Sequence, residues 1–103
     1  MNTKTAFGLA LKKVRKVKGL TQEDFGDVSS RTYLSTLERG IKSITLEKLN
    51  DLAQVLGVHP LTLLVLTYQI SKSEDSIDEL LNNIKREILD LDSPLIYENG
   101  EIK

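Results

Sequence analysis

Residues 21–40 read TQEDFGDVSSRTYLSTLERG, and the punctuation of this stretch decides the fold. Thr21 offers a hydroxyl oxygen to the unpaired N–H groups of a helix start, Asp24 follows three residues on near the positive helix end, and Leu20 with Phe25 can staple the entry. A short helix starting at Gln22 is expected. Val28, Ser29 and Ser30 interrupt it, because a β-branched residue followed by two serines favours a turn. Ser30 then caps a further helix, Arg31 to Arg39, which Gly40 closes. Leu34 and Leu37 share its inner face, leaving Arg31, Thr32, Ser35, Thr36 and Arg39 outside. All five can hydrogen-bond and none is acidic. A DNA major groove asks for donors to guanine N7 and O6, methyl groups for thymine and hydroxyls for mixed edges, so Arg31, Thr32 and Thr36 suit base reading. Two short helices joined by a tight turn can place such a helix there.

The flanking segments are helical as well. Phe7, Ala10, Leu11 and Val14 recur at helical spacing between Thr5 and Lys18, with Lys12, Lys13 and Lys16 opposite, and Gly19 stops this first helix. The basic face is either solvated or close to phosphate. Thr45 caps a fourth helix with inner face Leu46, Leu49, Leu52, Ala53 and Leu56, ended by Gly57. Pro60 suits the first position of a fifth helix reaching about Ile70. Its Leu61, Leu63, Leu64, Val65 and Leu66 exceed one narrow stripe, so this helix is expected to lie deep and partly to cover a partner surface. Ile77, Leu80, Leu81, Ile84, Ile88 and Leu91 align on one face of a sixth helix; that stripe closes the chain's own core or, the preferred reading, meets its copy in a second subunit. The tail 93–103 holds Asn99-Gly100, a favoured hairpin turn, and is read as a short hairpin or an undocked end.

At 103 residues and 40% hydrophobic composition, the chain suffices for one modest core with an extension. The absence of cysteine removes disulfides, thiolate catalysis and Cys-based zinc sites. No apolar run approaches the roughly 18 residues of a membrane span and the start lacks a signal-peptide centre, so a soluble, cytoplasmic protein is expected. The formal net charge of −1 hides an uneven distribution: residues 1–50 hold ten Lys/Arg against five Asp/Glu, and residues 51–103 hold four against ten. A basic half suits a polyanion, although two ordinarily solvated surfaces would look the same. Ser29, Ser30 and Ser35 lack a histidine base and no glycine-rich phosphate loop is present, which argues against an enzyme. His59, the single histidine, is read as a helix cap before Pro60, and no metal or cofactor is expected.

The segment Gly19-Leu20-Thr21-Gln22-Glu23-Asp24-Phe25-Gly26, with Ser30-Arg31-Thr32-Tyr33-Leu34-Ser35-Thr36-Leu37-Glu38-Arg39-Gly40, resembles the XRE-like (phage Cro and repressor) helix-turn-helix family. The resemblance covers roughly residues 6–66, including Thr45 to Leu49 and Leu52 to Val58. It implies an all-α, five-helix phage-repressor-like DNA-binding domain, to which the sixth helix adds a C-terminal amphipathic element. It also implies that Arg31, Thr32 and Thr36, with Ser35 as a weaker candidate, contact bases. Gln22, Tyr33, Arg39 and Lys42 would meet phosphates, Gln22 also bracing the recognition helix, while Arg15 and Glu38 would form an internal salt bridge. Gly26 stands where the family places a small residue at a close approach of two helix backbones. The stretch Phe25 to Ser30 departs from the family by being about two residues shorter, without a glycine in the turn.

The expected organisation is a DNA-binding domain over 1–70, a dimerisation helix over 71–92 and a tail over 93–103. One recognition helix reads few base pairs, so a homodimer on a palindromic operator is expected, acting as a transcriptional regulator and, by family expectation, a repressor. The alternative is a DNA-binding antitoxin whose C-terminal region holds a partner protein; an enzyme accessory domain is a lesser rival.

Overall fold

The computed structural model describes residues 1–72 and 76–91. In chain order these form α1 (Thr3–Val17), a four-residue 3-10 turn (Gln22–Phe25), α2 (Arg31–Glu38), α3 (Leu46–Leu56), α4 (Pro60–Lys72) and α5 (Ile77–Leu91). The fold is all-α, with no strand among the described residues. Two compact units divide after residue 73, the first holding α1 to α4 and the second α5. The expected tail and its Asn99-Gly100 hairpin lie outside the described residues, and no single helix among those described is long and apolar enough to cross a membrane.

Local capping sets the boundaries. The Asn2 side chain accepts from the Thr5 N–H at 2.8 Å, so α1 begins at Thr3, two residues before the expected start. Ser30 accepts from the Tyr33 N–H at 3.0 Å and Thr45 from the Lys48 N–H at 3.1 Å, while His59 Nδ1 accepts from the Leu61 N–H at 3.0 Å. At the other end of α2, Gly40 takes φ 72° and the Ile41 N–H reaches back to the Thr36 carbonyl at 3.0 Å. A left-handed residue there satisfies carbonyls the helix would otherwise leave unpaired.

The segment after Thr21 is tighter than expected. Asp24, Gly26 and Val28 donate their N–H groups to the carbonyls three residues earlier, at 3.2, 3.0 and 3.0 Å, so a 3-10 turn stands in place of a short α-helix. Two constraints compress it: the Asp24 carboxylate accepts from the Thr21 N–H at 2.7 Å, and Phe25 is drawn fully into the core. Across the turn that follows, the Lys48 ammonium donates to the Val28 carbonyl, tying this connection to α3.

Phe25, Leu11, Leu34, Leu37, Leu52 and Leu63 are fully buried and form the centre of the core, joined by Phe7, Leu49 and Leu56. α4 packs chiefly on α1 and also on α3, crossing the latter's direction by 104°. It lies less deep than its composition suggests: Leu63 and Thr67 are its buried residues, whereas Leu61 and Tyr68 remain exposed. The two buried positions are one helical turn apart, so the helix meets the core along one narrow side.

Close backbone approach occurs at a different glycine from the one expected. A Cβ on Gly26 would meet only the Glu23 carbonyl of its own turn at 3.3 Å, whereas one on Gly8 would lie 2.5 Å from the carbonyl oxygens of both Leu37 and Glu38. Gly8 is therefore where α1 presses against the end of α2. Gly8→Ala should force the two helices apart and lose about 2–3 kcal/mol in urea denaturation. Gly26→Ala, at φ −56°, should change stability by less than about 1 kcal/mol.

Candidate nucleic-acid interface

α2 is amphipathic in the required sense. Leu34 and Leu37 are fully buried, Arg31, Thr32 and Arg39 are exposed, and Tyr33, Ser35 and Thr36 are half-buried between these faces. Its one carboxylate, Glu38, lies on the buried side. The solvent side of the helix thus carries cationic and hydroxyl groups without an acidic residue of its own.

Glu38 receives hydrogen bonds from two directions. Arg15 of α1 donates from Nε to Oε2 at 2.6 Å and from Nη2 to Oε1 at 2.9 Å, while its Nη1 donates to the Leu20 carbonyl at 2.9 Å. Gln22 donates from Nε2 to Glu38 Oε1 at 3.1 Å, so the first residue of the 3-10 turn braces the end of α2. The side chains of Arg15 and Glu38 are 11% and 4% exposed, and in so dry a setting every polar atom needs its partner. The hydrogen bond to Glu38 pushes the Arg15 guanidinium above its ordinary pKa, outweighing the opposing effect of burial. A raised cation pKa stabilises the fold at every pH below the unfolded value, and that contribution fades only in strongly alkaline solution.

The hydroxyl of Thr36 donates to the Tyr33 carbonyl at 2.6 Å, which leaves its methyl group and acceptor lone pairs for other uses. Arg39 Nε donates weakly to the Ser35 carbonyl at 3.4 Å. Lys42, exposed in the loop after α2, places Nζ 5.8 Å from the centre of the Tyr33 ring, and Lys48 places its own 5.9 Å from the same ring. Two ammonium groups on one aromatic ring hold positive charge beside the start of α2. Arg31 Nη1 pairs with Glu23 Oε1 at 3.2 Å, both side chains in solvent. Lys12, Lys13 and Lys16 are exposed on α1, with no ion pair among the described residues.

The fold therefore brings Gln22, Arg31, Tyr33 and Lys42 around α2 and keeps Arg15 and Glu38 beneath it. Sequence reasoning missed Lys48 and Glu23. Their partners, Val28 and Arg31, stand 20 and 8 residues away, and no periodic signal reports a contact between a helix and a loop at such separations.

Comparison with known proteins finds relatives over the segment that carries these residues. A family model described as helix-turn-helix matches residues 11–63. An HTH-type transcriptional regulator, y4dJ of Sinorhizobium fredii, is 43% identical over 60 residues, covering 56% of this chain and 78% of that protein. The control protein C.BamHI of Bacillus amyloliquefaciens is 33% identical over 69 residues, 64% of this chain and 85% of its own. Among solved structures, the restriction-modification controller protein C.AhdI from Aeromonas hydrophila superposes with a TM-score of 0.55 at 33% identity, over 57% of this chain and 92% of its own. The clp gene regulator ClgR from Corynebacterium glutamicum superposes with a TM-score of 0.64 at 25% identity, over 85% and 92% respectively.

Removing one member of the buried pair strands the other. Arg15→Met or Glu38→Leu alone should cost about 3–5 kcal/mol in denaturation at pH 7, whereas the two together should cost far less. A double-mutant cycle measures the difference.

Proposed function

The chain belongs to the XRE-type helix-turn-helix family of DNA-binding transcriptional regulators, and from that premise we propose a homodimeric regulator, acting as a repressor, that binds a palindromic operator. The observation carrying this reading is the outer face of α2, from which the helix's one carboxylate has been withdrawn into the core. Arg31 and Thr32 are the exposed base readers at its N-terminal half, and Thr36, its hydroxyl proton engaged, offers a methyl group suited to thymine. Ser35, half-buried, is a lesser base contact.

Phosphates fall to Gln22, Tyr33, Arg39 and Lys42. The Gln22 amide nitrogen carries two protons; one is held by Glu38 and the second is available to a phosphate oxygen. Such contacts fix register without reading sequence.

The second copy is assigned to α5. Ile77, Leu81, Ile84, Ile88 and Leu91 are exposed and spaced four, three, four and three residues apart, the repeat of a two-helix seam, and Leu80 borders it. The charge asymmetry of the sequence suits this division, residues 1–50 being basic as a phosphate-binding part needs and residues 51–103 acidic. Relatives named as control proteins, one of a restriction-modification system, favour a stand-alone regulator over the antitoxin alternative.

Operator sequences selected from random DNA provide the test. With the selected duplex at fixed salt, Arg31→Ala should lose about 1–3 kcal/mol and relax one base pair, while Lys42→Ala should weaken all duplexes alike and lower the salt slope by about 1. Equal, sequence-blind losses from both would overturn the role assignment. Ile84→Asp should leave the first unit folded and convert dimers to monomers in sedimentation; an unchanged dimer would remove α5 from the interface.

A further inference from the structure

Among the described residues, Glu23 is the one acidic side chain paired with a proposed base reader. It occupies the second position of the 3-10 turn, and both of its neighbours are pinned: Gln22 by Glu38 at 3.1 Å, and Asp24 by the Thr21 N–H at 2.7 Å. The carboxylate is thereby presented from a rigid element to Arg31, whose Nη1 donates to Oε1 at 3.2 Å. With side-chain exposures of 70% for Arg31 and 73% for Glu23, the pair contributes little to stability. Its placement at the entrance to α2, beside the cleft lined by Arg15, Thr21 and Gln22, calls for another account.

We propose that Glu23 is a specificity-determining positioning residue, holding Arg31 by one nitrogen so that the rest of its guanidinium fork is aimed at a guanine edge and kept from phosphates. This deepens the base-reading assignment of Arg31 and rests on it. A guanidinium has five N–H donors in a fixed plane, and guanine O6 and N7 need two of them. One bond to Glu23 therefore leaves a complete bidentate edge, so Glu23 and guanine can be held together. A phosphate makes no such directional demand: an arginine without its carboxylate partner can swing to the nearest phosphate and bind any sequence. The negative charge of Glu23 opposes that move and also repels the phosphate itself. Its effect falls on discrimination more than on affinity, because it weakens wrong complexes more than the right one.

The test uses the full chain, the operator duplex selected by the unaltered protein, its three variants at the base pair that Arg31→Ala relaxes, and a random-sequence duplex. Glu23→Gln should keep the thermal midpoint of the parent, bind the random duplex about threefold to tenfold more tightly, and steepen the salt slope by about 1. Discrimination at the Arg31 base pair should fall about threefold to tenfold, with every other position unchanged. An unaltered base-preference profile and salt slope in Glu23→Gln, where Arg31→Ala does relax one position, would overturn the clamp while leaving Arg31 a base reader. If Arg31→Ala relaxes no position, both the clamp and the reading beneath it fall.

Discussion

A carboxylate at the C-terminal end of a short helix faces the negative end of the helix dipole, and Glu38 does so while almost wholly removed from water. Left without partners, such a buried charge would pull the helix toward solvent. Arg15 reaches it from α1 with two donors and Gln22 from the 3-10 turn with a third, and the need to supply all of them fixes three elements against one another. The backbone agrees with the side chains at this place. Gly8 lets α1 approach the Leu37 and Glu38 carbonyls, and Gly40 lies where an added Cβ would stand 2.8 Å from the Thr5 Cα. α2 is thus anchored through its last turn, while its first turn, with Arg31 and Thr32, projects into solvent.

How much of this is visible in the sequence depends on the range of the physics involved. Caps, stops and amphipathic faces act within a few residues, which is why Ser30, Gly40, Thr45 and Gly57 mark their boundaries correctly. The 3-10 geometry of Gln22–Phe25 escapes such reasoning, since it follows from a buried Phe25 pulling against a capped Thr21. The exchange of roles between Gly26 and Gly8 has the same origin. A glycine's use as a contact surface is set by another element's carbonyls, here 29 or 30 residues away, and leaves no local trace. Lys48 resembles any solvated helix lysine until the Val28 carbonyl is placed within its reach.

Charge is organised at two scales. Along the chain, the first half is basic and the second half acidic. Within the basic half the same sorting recurs locally: the acid of α2 is internal, and the cations of Arg39 and Lys42 lie outside. A protein of near-zero net charge can therefore present a positive surface to a polyanion, which whole-chain composition conceals. α5 carries no buried residue and so gains little stability from its own unit; its apolar face is an argument about assembly more than about folding.

Two arginine–glutamate pairs of one chemistry show how solvent assigns their roles. Arg15 and Glu38, 11% and 4% exposed, interact where water cannot compete, so their geometry is obligatory and their loss disrupts the fold. Arg31 and Glu23, 70% and 73% exposed, interact where water and salt screen them, so their geometry is a bias that a better partner can redirect. The base-reading role proposed for Arg31 needs the second kind of bond. Held too firmly it could not adjust to a guanine edge, and held by nothing it would settle on whichever phosphate came first. The rigid pair beneath α2 makes the weak pair above it useful, because only a fixed helix allows a small directional bias to be expressed as a preference among base pairs.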